Sequence, residues 1–278
     1  MTKFADSLQE ISVSKKSLVS IGLDPDPDKM PLPDVFEFCK RIIDHTEVFT
    51  AAYKPNMGFF EAFGLEGLKS LEKVIDYIKS NYSDVLIIGD AKRGDIAATS
   101  SKYASAMFEI WDFDAVTVNV FSGFDSIEPF LKYTDRGVFV WCKSSNPDGY
   151  QLQDLIVKGS EDRKIFQIIA DYCVSWNNEG NVGLVVGATY PEELKIVRDI
   201  VGELPILVPG IGSQSGDLEA SVRAGLGRIN HGLLVSSSRG IIYASSDPNN
   251  FGLAAANASF NLRESINNIL EDVGRSFI

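Results

Sequence analysis

The stretch Val85-Leu86-Ile87-Ile88-Gly89-Asp90-Ala91-Lys92-Arg93-Gly94-Asp95-Ile96 decides how the rest of the chain is read. Its first part, Val85–Asp90, is a short apolar run rich in Val and Ile, the pattern of a strand buried on both faces of a parallel sheet. The run ends in charge. Gly94 then lets the backbone turn into the amphipathic segment Ile96–Trp111. Alternation along the strand end puts Asp90 and Lys92 on one side, pointing inward. A purely structural ion pair explains such residues poorly, because burying two charges rarely stabilises a fold.

The same unit recurs on either side. Further runs are Leu18–Asp24, Ala51–Asn56, Ala115–Val120, Gly137–Cys142, Val182–Ala188, Pro205–Gly210 and Gly232–Ser236. Between them lie helical stretches, among them Val35–Phe49, Leu65–Asn81, Arg163–Asn177 and Pro191–Val201. Pro191 followed by Glu192 and Glu193 marks a helix start, since proline suits the first turn and acids suit the positive dipole end. Eight strands, each followed by a helix, give the count of a TIM barrel. A doubly wound open sheet usually has fewer strands and a Gly-rich turn after the first. Here that strand ends Leu23-Asp24-Pro25-Asp26-Pro27, which cannot form one. The expectation is a single (β/α)8 barrel over residues 1–278. Residues 1–12 are read as an N-terminal helix closing the barrel floor, with Phe4–Ile11 as the lid. Leu253–Val273 is read as the eighth helix with an extension.

Composition narrows the function classes. A chain of 278 residues with 45% hydrophobic content can bury a large core. The formal net charge of −12 argues against a nucleic-acid polymer as partner, which normally leaves a basic footprint. A phosphate ester still fits, provided cations are concentrated locally. Cys39, Cys142 and Cys173 show no C-x-x-C and no zinc spacing, so they read as small buried hydrophobes in a reducing compartment. His45 and His231 have no partner for a metal site or a catalytic triad. Met1 to Ile11 lacks an apolar signal core, and no run approaches a membrane span. The chain reads as soluble and cytoplasmic, without a membrane partner.

In a TIM barrel the active site forms at the carboxyl ends of the strands. The first strand ends at Asp24, the second at Lys54 and Asn56, and the third at Asp90, with Lys92 and Asp95 beyond. The fourth ends near Asn119, the fifth is followed by Lys143, Ser144 and Ser145, and the eighth by Ser238 and Arg239. Any one of these has a bland reading. Strand ends often carry solvated charges, Asp95 suits a helix N-cap, and Asn56 and Asn119 suit local hydrogen bonding. Their convergence on one mouth is what points to a site.

Asp-x-Lys-x-x-Asp at the end of a third barrel strand resembles the signature of the orotidine monophosphate decarboxylase family. The surrounding Lys-Arg-Gly-Asp-Ile resembles that family's second, less common branch. The likeness extends over almost the whole chain. Ser20-Ile21-Gly22-Leu23-Asp24-Pro25-Asp26 and Tyr53-Lys54-Pro55-Asn56 match the first two strands, and Thr117–Val120 with Phe121-Ser122-Gly123 the fourth. Lys143-Ser144-Ser145-Asn146-Pro147 matches the fifth, Pro209-Gly210-Ile211-Gly212-Ser213-Gln214 the seventh, and Ser236-Ser237-Ser238-Arg239-Gly240-Ile241-Ile242-Tyr243 the eighth.

The resemblance implies conversion of orotidine 5′-monophosphate to UMP, the last step of pyrimidine nucleotide synthesis, without metal or cofactor. Decarboxylation leaves electron density at C6 that the ring delocalises poorly. By resemblance Lys92 stabilises that density and then protonates C6, with Asp90 beside the substrate carboxylate. Lys54 and Asp95 complete an alternating charge array. The phosphate is expected after strands seven and eight. Arg239 offers a bidentate guanidinium and Gln214 an amide donor. Pro209-Gly210 and Gly212 allow close backbone approach. Ser238 stands where the family typically carries glycine, and it keeps the backbone N–H. The family further implies that Asp24 and Thr99 bind ribose hydroxyls and that Ser145 reads the pyrimidine edge, with Asn56 and Asn119 as further candidates. It also implies a homodimer in which Asp95 and Thr99 reach into the neighbouring subunit's site.

Two rivals remain at this level. One is a decarboxylase or aldolase acting on sugar phosphates with a magnesium ion, although Lys54 puts a cation where that metal belongs. The other is a non-catalytic phosphate sensor on a barrel scaffold, which would not require both Asp90 and Lys92.

Overall fold

The computed structural model describes residues 3–159, 162–211, 217–228 and 231–277. Eight parallel strands close into a barrel, the first pairing with both the second and the last. They are Val19–Leu23, Ala52–Pro55, Leu86–Arg93, Ala115–Val118, Gly137–Lys143, Val182–Val186, Ile206–Pro209 and Leu233–Ser237. Helices lie between them, including Val35–Thr46, Gly64–Asn81, Ile165–Trp176, Pro191–Val201 and Leu218–Gly225, and Phe251–Asp272 follows the last strand.

Three local features depart from the sequence reading. Residues Arg163–Lys164 are not helical but pair antiparallel with Ile156–Val157, making a small hairpin between the fifth and sixth barrel strands. The segment read as one helix from Ile96 is helical over Ala97–Ser105 and then widens into a π turn, Ala106–Ile110. There the Trp111 N–H reaches back to the Ala106 carbonyl, and Met107 and Phe108 are both buried. Asp95 is not the helix cap: the cap position is Ile96, and the Asp95 carboxylate accepts the Ile96 N–H at 2.6 Å, one residue early.

Strand side chains divide by alternation into two apolar sets, as a sheet covered on both faces requires. Those pointing outward, such as Ile21, Val116, Val118 and Val138, pack with helix residues such as Phe38 and Ile42. Those pointing inward, Ala52, Leu86, Ile88, Ala115, Phe139, Val185, Leu207 and Leu234, form a second cluster with Phe4 and Leu8. Phe4 and Leu8 come from the helix Phe4–Lys15. The Phe4 ring meets Phe139 edge-on at 5.7 Å and lies against Gly137, the first residue of the fifth strand. A Cβ on Gly137 would stand 2.5 Å from that ring, so the glycine makes room for it. This cluster therefore fills the amino-terminal end of the barrel. All three cysteines are buried and unpaired by disulfides, and burial pushes the Cys39 and Cys142 thiols well above their ordinary value. Among the described residues no helix is long and apolar enough to cross a membrane.

Candidate active site

One step further up the inward-pointing lines, the apolar side chains give way to polar ones. Ala52 is followed by Lys54, Ile88 by Asp90, Ala115 by Thr117, and Phe139 by Trp141. The third strand is irregular at this level. Its pairing with the fourth passes from Gly89 opposite Val116 to Arg93 opposite Val118, so four steps on one strand face two on the other. The extra residues bulge, and Lys92 adopts a left-handed backbone with φ of 47°. For a residue with a side chain such a conformation costs roughly 1–3 kcal/mol and persists only where its surroundings enforce it.

Thr117 supplies part of that enforcement. Its buried hydroxyl accepts the Lys92 backbone N–H at 3.0 Å, which the bulge has taken out of the ladder, and donates to Asp90 Oδ1 at 2.9 Å. Asp90 Oδ1 also accepts from Lys92 Nζ at 2.5 Å, and Oδ2 accepts from Lys54 Nζ at 2.7 Å. The alternation expected at a regular strand end is thus not what brings Asp90 and Lys92 together; a bulge pinned by Thr117 is.

Burial sets the electrostatics. Lys54 and Asp90 are almost fully enclosed, whereas about a third of the Lys92 side chain (36%) is exposed to the mouth. Desolvation alone would raise the Asp90 carboxyl, but the ammonium groups of Lys54 and Lys92 override it and hold Asp90 well below the usual carboxylate range. Desolvation likewise opposes the charge on Lys54, yet Asp90, and Asp24 behind it, hold that ammonium above its ordinary value. Lys92 Nζ also lies 5.8 Å from the centroid of the Trp141 ring, at the outer edge of a cation–π contact.

Asp24 stands at the end of the first strand, its Oδ2 accepting from the Ser238 hydroxyl at 2.5 Å. Its Oδ1 is buried without a hydrogen-bond partner among the described residues. Arg239 opens the one-turn helix Arg239–Ile242 and is exposed. Pro209 ends the seventh strand, and Gly210 follows with φ of 102°, a backbone that favours glycine. Gln214 lies outside the described residues. Ser145 is half-buried against Gly187, where a Cβ would come within 2.6 Å of the Ser145 backbone nitrogen.

The remaining candidates are engaged locally. Asn56 caps the short helix Met57–Glu61 by accepting the Gly58 N–H at 3.1 Å, and Asn119 accepts the Phe121 N–H at 2.9 Å. Thr99 lies in the first turn of the helix after the third strand. Asp95 makes no ion pair with Lys54 or Lys92 among the described residues, so the array within this chain is Lys54–Asp90–Lys92. Beside the mouth runs an open groove of about 1030 Å³, lined by Asn119, Phe121, Phe124, Trp141, Ser144 and Trp176 among others. Phe121 there is 78% exposed.

The residues that sequence reasoning left out of the site are Thr117 and Trp141. Thr117 had a signal: it is the polar member of Ala115-Val116-Thr117-Val118, two residues from an inward alanine. Trp141 had none beyond its alternation with Phe139.

The family model described as orotidine 5′-phosphate decarboxylase / HUMPS family matches residues 17–252. A relative from Cupriavidus necator, named orotidine 5′-phosphate decarboxylase, is 43% identical over 271 residues, 95% of this chain and 97% of its own. The solved OMP decarboxylase of Leishmania donovani superposes with a TM-score of 0.85 at 40% identity, covering 96% of this chain and 99% of that one. The UMP synthase of the same organism gives 0.87 at 41% identity, over 97% of this chain and 57% of that longer protein. The sequence motifs, the closed barrel and these likenesses agree: the chain belongs to the orotidine 5′-phosphate decarboxylase / HUMPS family.

Proposed function

We propose that the protein decarboxylates orotidine 5′-monophosphate to UMP without a cofactor, in pyrimidine nucleotide synthesis. The observation that carries the reading is the Lys54–Asp90–Lys92 array, with Lys92 the member open to the mouth. Substrate binds with its phosphate at Arg239 and Gly210, its ribose at Asp24 and its pyrimidine near Ser145. The C6–carboxylate bond breaks, CO2 leaves, and the electron pair stays at C6. The Lys92 ammonium stabilises that charge as it forms and then gives C6 its proton. Fixed charge directed at the transition state is generally the largest catalytic term. Lys54 and Thr117 hold Asp90, and Asp90 holds Lys92.

The sugar-phosphate reading within the same family would route a divalent metal through these carboxylates. Against it stands the donor set of Asp90, whose oxygens accept from two ammonium groups and a hydroxyl. An absorbance assay of the purified protein with orotidine 5′-monophosphate, with and without chelator, tests the proposal. Turnover that survives chelation supports it; no turnover of this substrate at any protein concentration overturns it.

The site as proposed is completed by a second copy of the chain, whose Asp95 and Thr99 enter it. Lys92→Ala and Asp95→Ala homodimers are then each nearly inactive. After subunit exchange a heterodimer carries one site with both lesions and one with neither. Random pairing in closed two-fold dimers restores about a quarter of wild-type activity. Complete exchange, verified by mass tags, with no recovery would place Asp95 in its own subunit's site.

A further inference from the structure

The end of the eighth strand grips the end of the first at three points. Ser238 Oγ lies 2.5 Å from Asp24 Oδ2 and 3.1 Å from the Gly22 carbonyl, so its single proton goes to the nearer, charged acceptor. The Tyr243 hydroxyl donates to the Asp24 carbonyl at 2.6 Å and accepts the Asp26 N–H at 2.7 Å. Gly22 is fitted to this arrangement, since a Cβ there would stand 2.8 Å from Ser238 Cβ and 2.9 Å from its Oγ. Both the backbone and the side chain of Asp24 are thereby fixed. One atom is left over. Asp24 Oδ1 is buried and accepts nothing among the described residues, and an unsatisfied buried carboxylate oxygen is costly.

We propose that Ser238 is a positioning residue for sugar recognition, its hydroxyl holding Asp24 so that Oδ1 accepts a hydrogen bond from a ribose hydroxyl of the 5′-nucleotide. This rests on the reading that the ribose lies at Asp24. An ionised carboxylate only accepts, so once Ser238 occupies Oδ2, the free oxygen selects a donor, which a sugar hydroxyl is and a deoxy carbon is not. Ser238 is also joined by one peptide bond to Arg239. The group that aims Asp24 at the sugar is therefore the chain neighbour of the group proposed for the phosphate, and both directly follow the eighth strand.

The test is steady-state kinetics on orotidine 5′-monophosphate and on its 2′-deoxy and 3′-deoxy counterparts. Wild type, Ser238→Ala, Asp24→Ala, the double variant and Gly22→Ala are compared. Ser238→Ala lowers kcat/KM for the ribonucleotide about tenfold, the scale of a lost hydrogen bond to a charged group. Gly22→Ala, which displaces the hydroxyl without removing it, gives a loss in the same direction. The double variant is no worse than Asp24→Ala, because Ser238 acts through Asp24 and the two effects do not add. With the substrate lacking the hydroxyl that Asp24 binds, the Ser238→Ala loss shrinks to within about twofold. Equal losses on all three substrates, or losses that add to those of Asp24→Ala, overturn the proposal and assign Ser238 to the fold or the phosphate. A full Asp24→Ala effect with no Ser238→Ala effect overturns the proposal alone. An Asp24→Ala variant with unchanged kcat/KM overturns the placement of the ribose beneath it.

Discussion

The two ends of the barrel interior are built from the same strands and obey different rules. At the amino-terminal end Leu86, Ala115, Phe139 and Leu207 meet Phe4 and Leu8, and these apolar side chains ask only to be packed. At the carboxyl end Asp90, Lys54 and Thr117 are equally buried, but each needs a directional partner. The backbone registers the difference. Both register shifts in the barrel, between Gly89 and Arg93 and between Trp141 and Lys143, lie toward the mouth. So does the left-handed Lys92. Apolar packing tolerates a regular strand because it asks only for volume, whereas a charge array asks for atoms at set distances. Within the strands, regularity is thus kept at the floor and broken where the charges meet, while the left-handed Lys16 and Asp112 lie outside the strands, in the segments that lead into the first and fourth.

The sharpest way to break this comparison is to remove the group at the mouth. Lys92→Ala loses both the proton donor and the fixed positive charge, effects worth roughly 10²–10⁴-fold and 10²–10³-fold individually. Turnover should fall by roughly 10⁴-fold or more, while nucleotide binding stays measurable because the main interaction of Lys92 develops in the transition state. Single-turnover assays together with calorimetric titration of UMP check it. A variant within tenfold of wild-type kcat would show that the mouth is not organised around this residue.

A smaller effect follows from cutting the support of the bulge. Thr117→Val keeps the shape but removes the acceptor for the Lys92 N–H and the donor to Asp90. kcat should drop about 10- to 100-fold with KM little changed, because a buried pair of hydrogen bonds worth roughly 1–3 kcal/mol is lost at the reacting end. Thr117→Ser should recover most of it. Equal loss in both variants would mean that the methyl group, and so ordinary packing, is what matters at this end too.

The charge states sharpen the contrast further. Asp90 is held below the carboxylate range by its two ammonium neighbours, so it is ionised everywhere above that range. Lys54 is held above its ordinary value, so it stays protonated until more alkaline pH than a free lysine. Neither group changes charge between about pH 5 and pH 9, given ordinary values near 4 and 10.4. The ¹³C carboxyl resonance of Asp90, assigned through Asp90→Asn, should be flat over that interval. A titration within it would mean that Lys54 and Lys92 do not both carry charge beside it.

Legibility in the sequence divides along the same axis. The barrel was readable because strands buried on both faces are runs rich in Val and Ile, because Pro191 marks a helix start, and because Asp24-Pro25 cannot form the Gly-rich turn of a doubly wound sheet. The hairpin of Ile156–Val157 with Arg163–Lys164 was not, since two-residue strands leave no periodicity. At the mouth, Lys54, Asp90 and Lys92 stood out as charges in apolar runs, and both lysines lie within hydrogen-bonding distance of Asp90. Thr117, though polar in an apolar run, and the Ser238 hydroxyl were easier to pass over, because such residues are common in strands and turns. Asn56 and Asn119 show the converse: prominent by position, yet bonded to backbone N–H groups two residues on. The left-handed Lys92 could not be read at all, because a bulge arises from the pairing of two strands and neither strand encodes it alone.

The smallest expected effect on turnover, and the one that tests the other half of the comparison, comes from the floor. Phe4 is 2% exposed, its ring edge-on to Phe139 and seated over Gly137. Phe4→Ala removes a buried ring from a site whose walls are strands fixed in a closed barrel, so the cavity cannot collapse and the cost should be about 3–5 kcal/mol. Denaturant titration should show that loss as a lower midpoint at an unchanged slope. kcat and KM should remain within twofold of wild type at temperatures where the variant is folded, because the cavity opens at the opposite end from Lys92 and the strands between the two ends keep their pairing. A tenfold fall in kcat in fully folded Phe4→Ala would mean that floor packing sets the geometry of the mouth. The two ends would then be one mechanical unit, and the division between a packing end and a chemical end would not hold.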